Sequence, residues 1–161
     1  MTPLVSSYDA ALFDLDGVIY LGPNAIDGVA GSLAQLRERG IRLGFVTNNA
    51  ARTPAAVAEH LRELGIQADD SDVVNSTQAT VRMLRKELPT RAKVLVVGTD
   101  ALASQLADGG FVPVSTLEEN PVAVVQGYHP QLPWDLLELG AIAIQKGAAW
   151  YATNPDQTRP T

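Results

Sequence analysis

At 161 residues, with 46% hydrophobic and 19% charged side chains, the chain is long enough for one ordinary globular domain or two small ones with a packed core, which excludes a disordered polypeptide. A formal net charge of -6 with no Lys/Arg cluster opposes broad attraction to phosphate backbones or anionic lipid, so neither nucleic acid nor a membrane is an expected partner. The absence of Cys excludes a disulfide, a thiolate metal site and a cysteine nucleophile. MTPLVSSYD has no basic region leading into an apolar stretch, and no apolar run reaches membrane-spanning length, so a cytoplasmic protein is expected.

Short apolar runs alternate with amphipathic segments, the pattern of strands and helices taking turns around a mostly parallel sheet, and the fold class is α/β. Residues 10–14 (AALFD) and 41–47 (IRLGFVT) read as buried strands. Between them Val29, Leu33 and Leu36 share one face of a helix that Gly40 ends, which makes one βαβ unit. In TPAAVAEHLRELG, Thr53 is the expected N-cap and Pro54 the first helical residue; Val57, Leu61 and Leu64 line one face and Gly65 terminates. The polar connection QADDSDVVNST reads as a linker, and a domain boundary is placed near Asn75.

The alternation then restarts, with a helix over 78–88, a strand over 93–97, a helix over 101–107, strands over 111–114 and 122–126, a helix over 134–146 and a strand over 149–153. In the first of these helices Val81, Leu84 and Leu88 form the apolar face, while Arg82, Arg85 and Lys86 form a solvated basic side. Trp134, Leu137, Ala141 and Ile144 read as a packing stripe. The last segment, NPDQTRPT, is a turn-rich tail, and the alternation stops in mid-fold.

Asp14 and Asp16 stand one residue apart where the first strand ends, the edge at which ligands sit in doubly wound sheets. One carboxylate can attack phosphorus while a second acid protonates the departing alkoxide and later deprotonates water. Their repulsion calls for a hard cation, and Mg²⁺ suits because it takes oxygen ligands, keeps waters and bridges to phosphate. Asp-Gly is also a common turn pair, so D-x-D-G alone leaves a solvated turn equally open. The next strand shifts the balance by ending in FVTNN, which brings the Thr47 hydroxyl and Asn48 to the same edge as donors for phosphate oxygens.

DLDGVIYLG (14–22) and FVTNNAART (45–53) resemble the first two motifs of the haloacid dehalogenase superfamily, with flanks similar to its NagD-like branch; YATNPDQTRPT (151–161) is similar to the T-N-P-D segment of that branch's cap. The resemblance implies a Rossmann-like core, a parallel sheet flanked by helices, with an α/β cap. It implies Asp14 as nucleophile and Mg²⁺ ligand, Asp16 as general acid/base and Mg²⁺ ligand through its main-chain carbonyl, Thr47 and Asn48 as phosphoryl-binding residues, and Asn154 and Asp156 as substrate-loop residues. Family members continue with a Lys and an acidic Gly-Asp motif that do not occur here. The expectation is therefore the N-terminal part of the core in 1–75 and of the cap in 76–161, both incomplete, weakly stable and poorly active alone.

The implied activity is hydrolysis of small phosphomonoesters through an aspartyl phosphate, with glycerol 3-phosphate, 2-phosphoglycolate, pyridoxal phosphate, a nucleotide or 4-nitrophenyl phosphate as substrate types. Caps of this branch often pair two subunits, so a homodimer through the cap is a further expectation. The rival is a non-catalytic module that binds a metal or a phosphorylated ligand. His129, before Pro130, reads as a turn residue, and His60 lies at the edge of a helix's apolar face; neither is needed as a base.

Overall fold

The alternating pentad Ala10–Asp14 forms strand β1 in a computed structural model that describes residues 4–156. A two-strand hairpin follows, β2 (Tyr20–Leu21) and β3 (Asn24–Ala25), then helix α1 (Val29–Glu38), β4 (Arg42–Thr47), α2 (Pro54–Glu63) and β5 (Val73–Asn75). β1, β4 and β5 make a three-stranded sheet in that order, with β1 parallel to β4 from Ala10↔Arg42 to Asp14↔Val46. α1 ends before Gly40, which sits at φ 80, a left-handed conformation open to glycine at no steric cost.

Both helices cover one face of this sheet. Leu33 of α1 and Val57 and Leu61 of α2 join Leu43, Phe45 and Val73 in a single apolar core. The expectation of strands buried on both faces is corrected here: on the other face Leu12 is 75% exposed, and Val46 and Val74 are also exposed. β5 and the hairpin are absent from the sequence reading because two or three residues are too few to show a period.

The second sheet comes from α3 (Ser76–Glu87), β6 (Lys93–Val97), α4 (Asp100–Asp108), β7 (Val112–Val114), β8 (Ala123–Gln126), α5 (Trp134–Gln145) and β9 (Ala149–Ala152). Its order is β7-β6-β8-β9, and every pair is parallel. Here the near-continuous apolar runs KVLVV and AVVQ are buried as expected of strands covered on both sides. α3 and α4 contribute Val81, Leu84, Leu102 and Leu106 to one face, and α5 contributes Ala143 to the other. Arg82 and Lys86 are exposed, while Arg85 Nε donates to the Gly109 carbonyl at 2.9 Å.

The predicted stripe of α5 is wrong in phase. Trp134, Ala141 and Ile144 are exposed; Leu137 does pack as expected, and the helix faces the sheet through Leu136, Leu137, Leu139, Gly140 and Ala143. WDLLELGAIAIQ is apolar almost all round, so periodicity does not choose a face; close approach does, because a Cβ on Gly140 would lie 2.8 Å from Val97 Cγ2. The chain divides into two compact units, one with residues up to Thr47, Pro54–Val74 and Asp156, the other with Asn48–Thr53 and Asn75–Pro155. Residues 157–161 of the predicted tail lie outside the described residues.

Candidate active site

Leu15, between the two aspartates, is fully buried in the core of the first unit, whereas Asp14 is exposed and Asp16 half-buried. Alternation along an extended chain thus turns the acids away from the core that holds their neighbour. The chain then closes tightly: the Leu15 carbonyl accepts from the N–H groups of Val18 (3.2 Å), Ile19 (2.9 Å) and Tyr20 (3.2 Å), and Gly17 N–H donates to the Tyr20 carbonyl at 2.8 Å. Gly17 has φ +82, with nothing within 4 Å of a Cβ placed there, so the turn needs glycine for its backbone and not for space. Ile19 and Tyr20 are buried, and the hairpin returns through the bond from Ile26 N–H to the Ile19 carbonyl at 3.0 Å.

Thr47 is one residue beyond Val46, the register partner of Asp14. Parallel strand spacing and rise then put the Thr47 and Asp14 Cα atoms about 6 Å apart. Thr47 is 3% exposed and Asn48, next in the chain, is exposed. Asp14 and Thr47 therefore stand at the carboxyl ends of two adjacent strands of one sheet, with Asp16 two residues further along the chain. Asn154 follows the carboxyl end of β9 in the second unit, and Asp156 is counted with the first, so these two do not fall in one unit.

Neither Asp14 nor Asp16 has a side-chain hydrogen bond or ion pair among the described residues, so both carboxylates are available to a ligand. Among those residues no group of three His, Cys, Asp or Glu side chains could hold a metal ion. Two hard carboxylates fit Mg²⁺, which uses one or two such groups and completes its shell with waters and substrate phosphate, and do not fit a soft, fully protein-caged metal. His129 is a turn residue, its Nδ1 accepting the Gln131 N–H at 3.0 Å. His60 packs edge-on against Tyr20 with ring centroids 5.2 Å apart and faces Glu63. The sequence reading did not single out Leu15, the fully buried residue between the two acids.

A parallel α/β sheet whose first strand delivers an Asp-x-Asp pair, and whose second delivers a Thr to the same edge, defines a class of hydrolase fold. The chain belongs to the haloacid dehalogenase-like hydrolase family, whose model matches residues 11–112. It is 44% identical over 161 residues to the D-glycerol 3-phosphate phosphatase of Mycobacterium tuberculosis, covering 100% of this chain and 45% of that protein. It is 35% identical over 156 residues to the acid sugar phosphatase of Staphylococcus aureus, covering 97% of this chain and 59% of that one. The crystal structure of a glycerol phosphate phosphatase from Mycobacterium tuberculosis in complex with magnesium superimposes with a TM-score of 0.93 at 43% identity, over 100% of this chain and 48% of the other. The chain thus spans about half the length of the curated relatives it matches. No helix among the described residues is long and apolar enough to cross a membrane.

Proposed function

We propose that the chain carries the nucleophile-bearing half of a Mg²⁺-dependent phosphomonoester hydrolase, with residues 1–75 as catalytic core and 76–161 as cap. The observation that supports this is the position of Asp14 and Thr47 at adjacent strand ends, with Asp16 just beyond and neither carboxylate bonded among the described residues. An Asp14 oxygen attacks phosphorus and the ester P–O bond breaks, with its electron pair passing to the leaving oxygen. Asp16 gives that oxygen its proton, and Thr47 and Asn48 hold the phosphoryl oxygens. In the second half Asp16 takes a proton from water, the water oxygen attacks phosphorus, and Asp14 departs as carboxylate, leaving inorganic phosphate. Asp14 and the Asp16 carbonyl would hold Mg²⁺, which when bound supplies charge neutralisation between the carboxylates and the phosphate.

Among small phosphomonoesters, glycerol 3-phosphate is the first to assay, since the relative of Mycobacterium tuberculosis acts on it; the acid sugar phosphatase makes sugar phosphates the second. Phosphate release in the presence of Mg²⁺ tests the reading: Asp14→Asn abolishes it with the fold retained, and turnover in that variant refutes the mechanism. The second reading is binding without turnover, motivated by there being, among the described residues, no group of three His, Cys, Asp or Glu side chains that could hold a metal ion. A protein that binds a phosphomonoester with Mg²⁺ and releases no phosphate in any longer form establishes that reading instead.

A further inference from the structure

The segment Asn48–Thr53 follows β4 directly, and it is pinned at two points within the second unit. The Ser76 hydroxyl donates to the Asn48 carbonyl at 2.8 Å. The Asn75 side-chain amide donates to the Arg52 carbonyl at 2.9 Å and to Gln105 Oε1 at 2.8 Å. Between these anchors Ala50 is 1% exposed, 3.4 Å from where a Cβ on Gly127 would stand, and Asn49 Oδ1 accepts the Ala51 N–H at 2.8 Å in a local turn.

Asn75 is 1% exposed and fully engaged. Its Oδ1 accepts the Gln78 N–H at 3.0 Å, its own N–H donates to Gln78 Oε1 at 3.1 Å, and both amide hydrogens go to the carbonyl oxygens just named. Gln105 Nε2 is committed to the Ala101 carbonyl at 3.0 Å, which turns its oxygen toward Asn75. An Asp at 75 would face two acceptors with no proton to offer, so the position needs an amide. The caps of α3 thus do more than finish a helix: its first residues grip the main chain one and five residues after Thr47.

We propose that Ser76 and Asn75 are positioning residues, which fix the Asn48–Thr53 strap and with it the Asn48 peptide for phosphoryl binding. This rests on the phosphate-binding reading of Thr47 and Asn48 given above. Neither residue touches the ligand; each acts through the strap.

The test compares the full chain with Ser76→Ala, Ser76→Thr, Thr47→Ala and Thr80→Val. The last removes a hydroxyl bond to the Ser76 carbonyl at 2.9 Å within the same helix without touching the strap. Hydrogen exchange of the 48–53 amides is measured against that of β8, and binding of inorganic phosphate with Mg²⁺ is measured by titration calorimetry. Ser76→Ala is expected to speed strap exchange and to weaken phosphate binding about three- to tenfold, the worth of one hydrogen bond. Ser76→Thr restores both, and Thr80→Val leaves both unchanged. Unchanged strap exchange in Ser76→Ala, or an equal loss in Thr80→Val, overturns the assignment. If the unmodified chain binds no phosphate, the functional reading falls and the positioning role falls with it. If Thr47→Ala loses binding and Ser76→Ala does not, the positioning role alone is removed.

Discussion

Leu15→Ala tests whether the residue between the two acids anchors the site. Leu15 is 0% exposed, and the substitution removes its isobutyl branch down to the methyl. At about 0.8 kcal/mol per buried carbon, the lost transfer energy is about 2.5 kcal/mol. The packed neighbours Ile19, Phe45 and Leu61, all at or below 1% exposure, cannot collapse fully into the gap, so a cavity adds to this and brings the cost to about 3–4 kcal/mol. At roughly 2–4 °C per kcal/mol for a chain of this size, thermal unfolding should move down by about 6–15 °C. Leu12→Ala, three residues earlier in β1, is the control: its side chain is 75% exposed, and the change should stay within about 0.5 kcal/mol. Leu15→Met, which keeps the volume, should cost less than about 1.5 kcal/mol. The assay is calorimetric unfolding of the three variants, with phosphate release measured below the lowest transition. Equal shifts for Leu15→Ala and Leu12→Ala would refute the claim that Leu15 ties the acid pair to the core.

Asp16→Asn should slow hydrolysis of glycerol 3-phosphate by about 10²–10⁴, as expected for loss of a general acid, but spare the first step with 4-nitrophenyl phosphate, whose leaving group needs no proton. A rapid burst of nitrophenol followed by slow turnover is the expected trace; equal losses on the two substrates would contradict the role given to Asp16. Gly140→Ala sets a helix-propensity gain of about 1 kcal/mol against overpacking of about 1–3 kcal/mol, because the new Cβ meets the immobile, 1% exposed Val97 at 2.8 Å. Net destabilisation on denaturant unfolding is expected, and a stabilised variant would show that α5 can lift off the sheet. Tyr151 has its pKa raised by burial first, and then by the hydrogen bond and charge of Glu87, whose carboxylate accepts the phenol at 2.8 Å. The raised value favours the protonated phenol in the fold, so this contribution is complete below the ordinary tyrosine pKa and is lost as pH rises through the folded value. Glu87→Gln should bring the tyrosinate titration of Tyr151 down, and an unmoved titration would exclude Glu87 as a cause.

The parallel sheet of the second unit was legible because strands covered on both faces are near-continuously apolar, as in Val94 to Val97 after the exposed Lys93, and because its helices are amphipathic. α5 shows the limit of that logic: in WDLLELGAIAIQ too many residues are apolar for polarity to mark a face, and the contact is chosen by Gly140, the residue with least side chain. The hairpin was invisible for the opposite reason, since two-residue strands have no period; its two strands are joined by Gly22-Pro23, with Gly22 at a positive φ.

The site divides in the same way. Asp14 and Asp16 stand out in the sequence because they put two charges at a strand end, where packing alone would not place them. What holds the Thr47 end of the site was not readable, because the bonds that pin the following segment join residues 28 and 23 positions apart, Ser76 to Asn48 and Asn75 to Arg52. Asn-Ser-Thr-Gln at the start of α3 is by itself only a good helix cap. The cap engages the Asn75 side chain through Oδ1 alone, which leaves both amide hydrogens for other partners; one reaches the strap and the other Gln105 Oε1. A capping Asp or Ser would serve the helix equally well. Asparagine at this position is therefore explained by the strap and not by the helix.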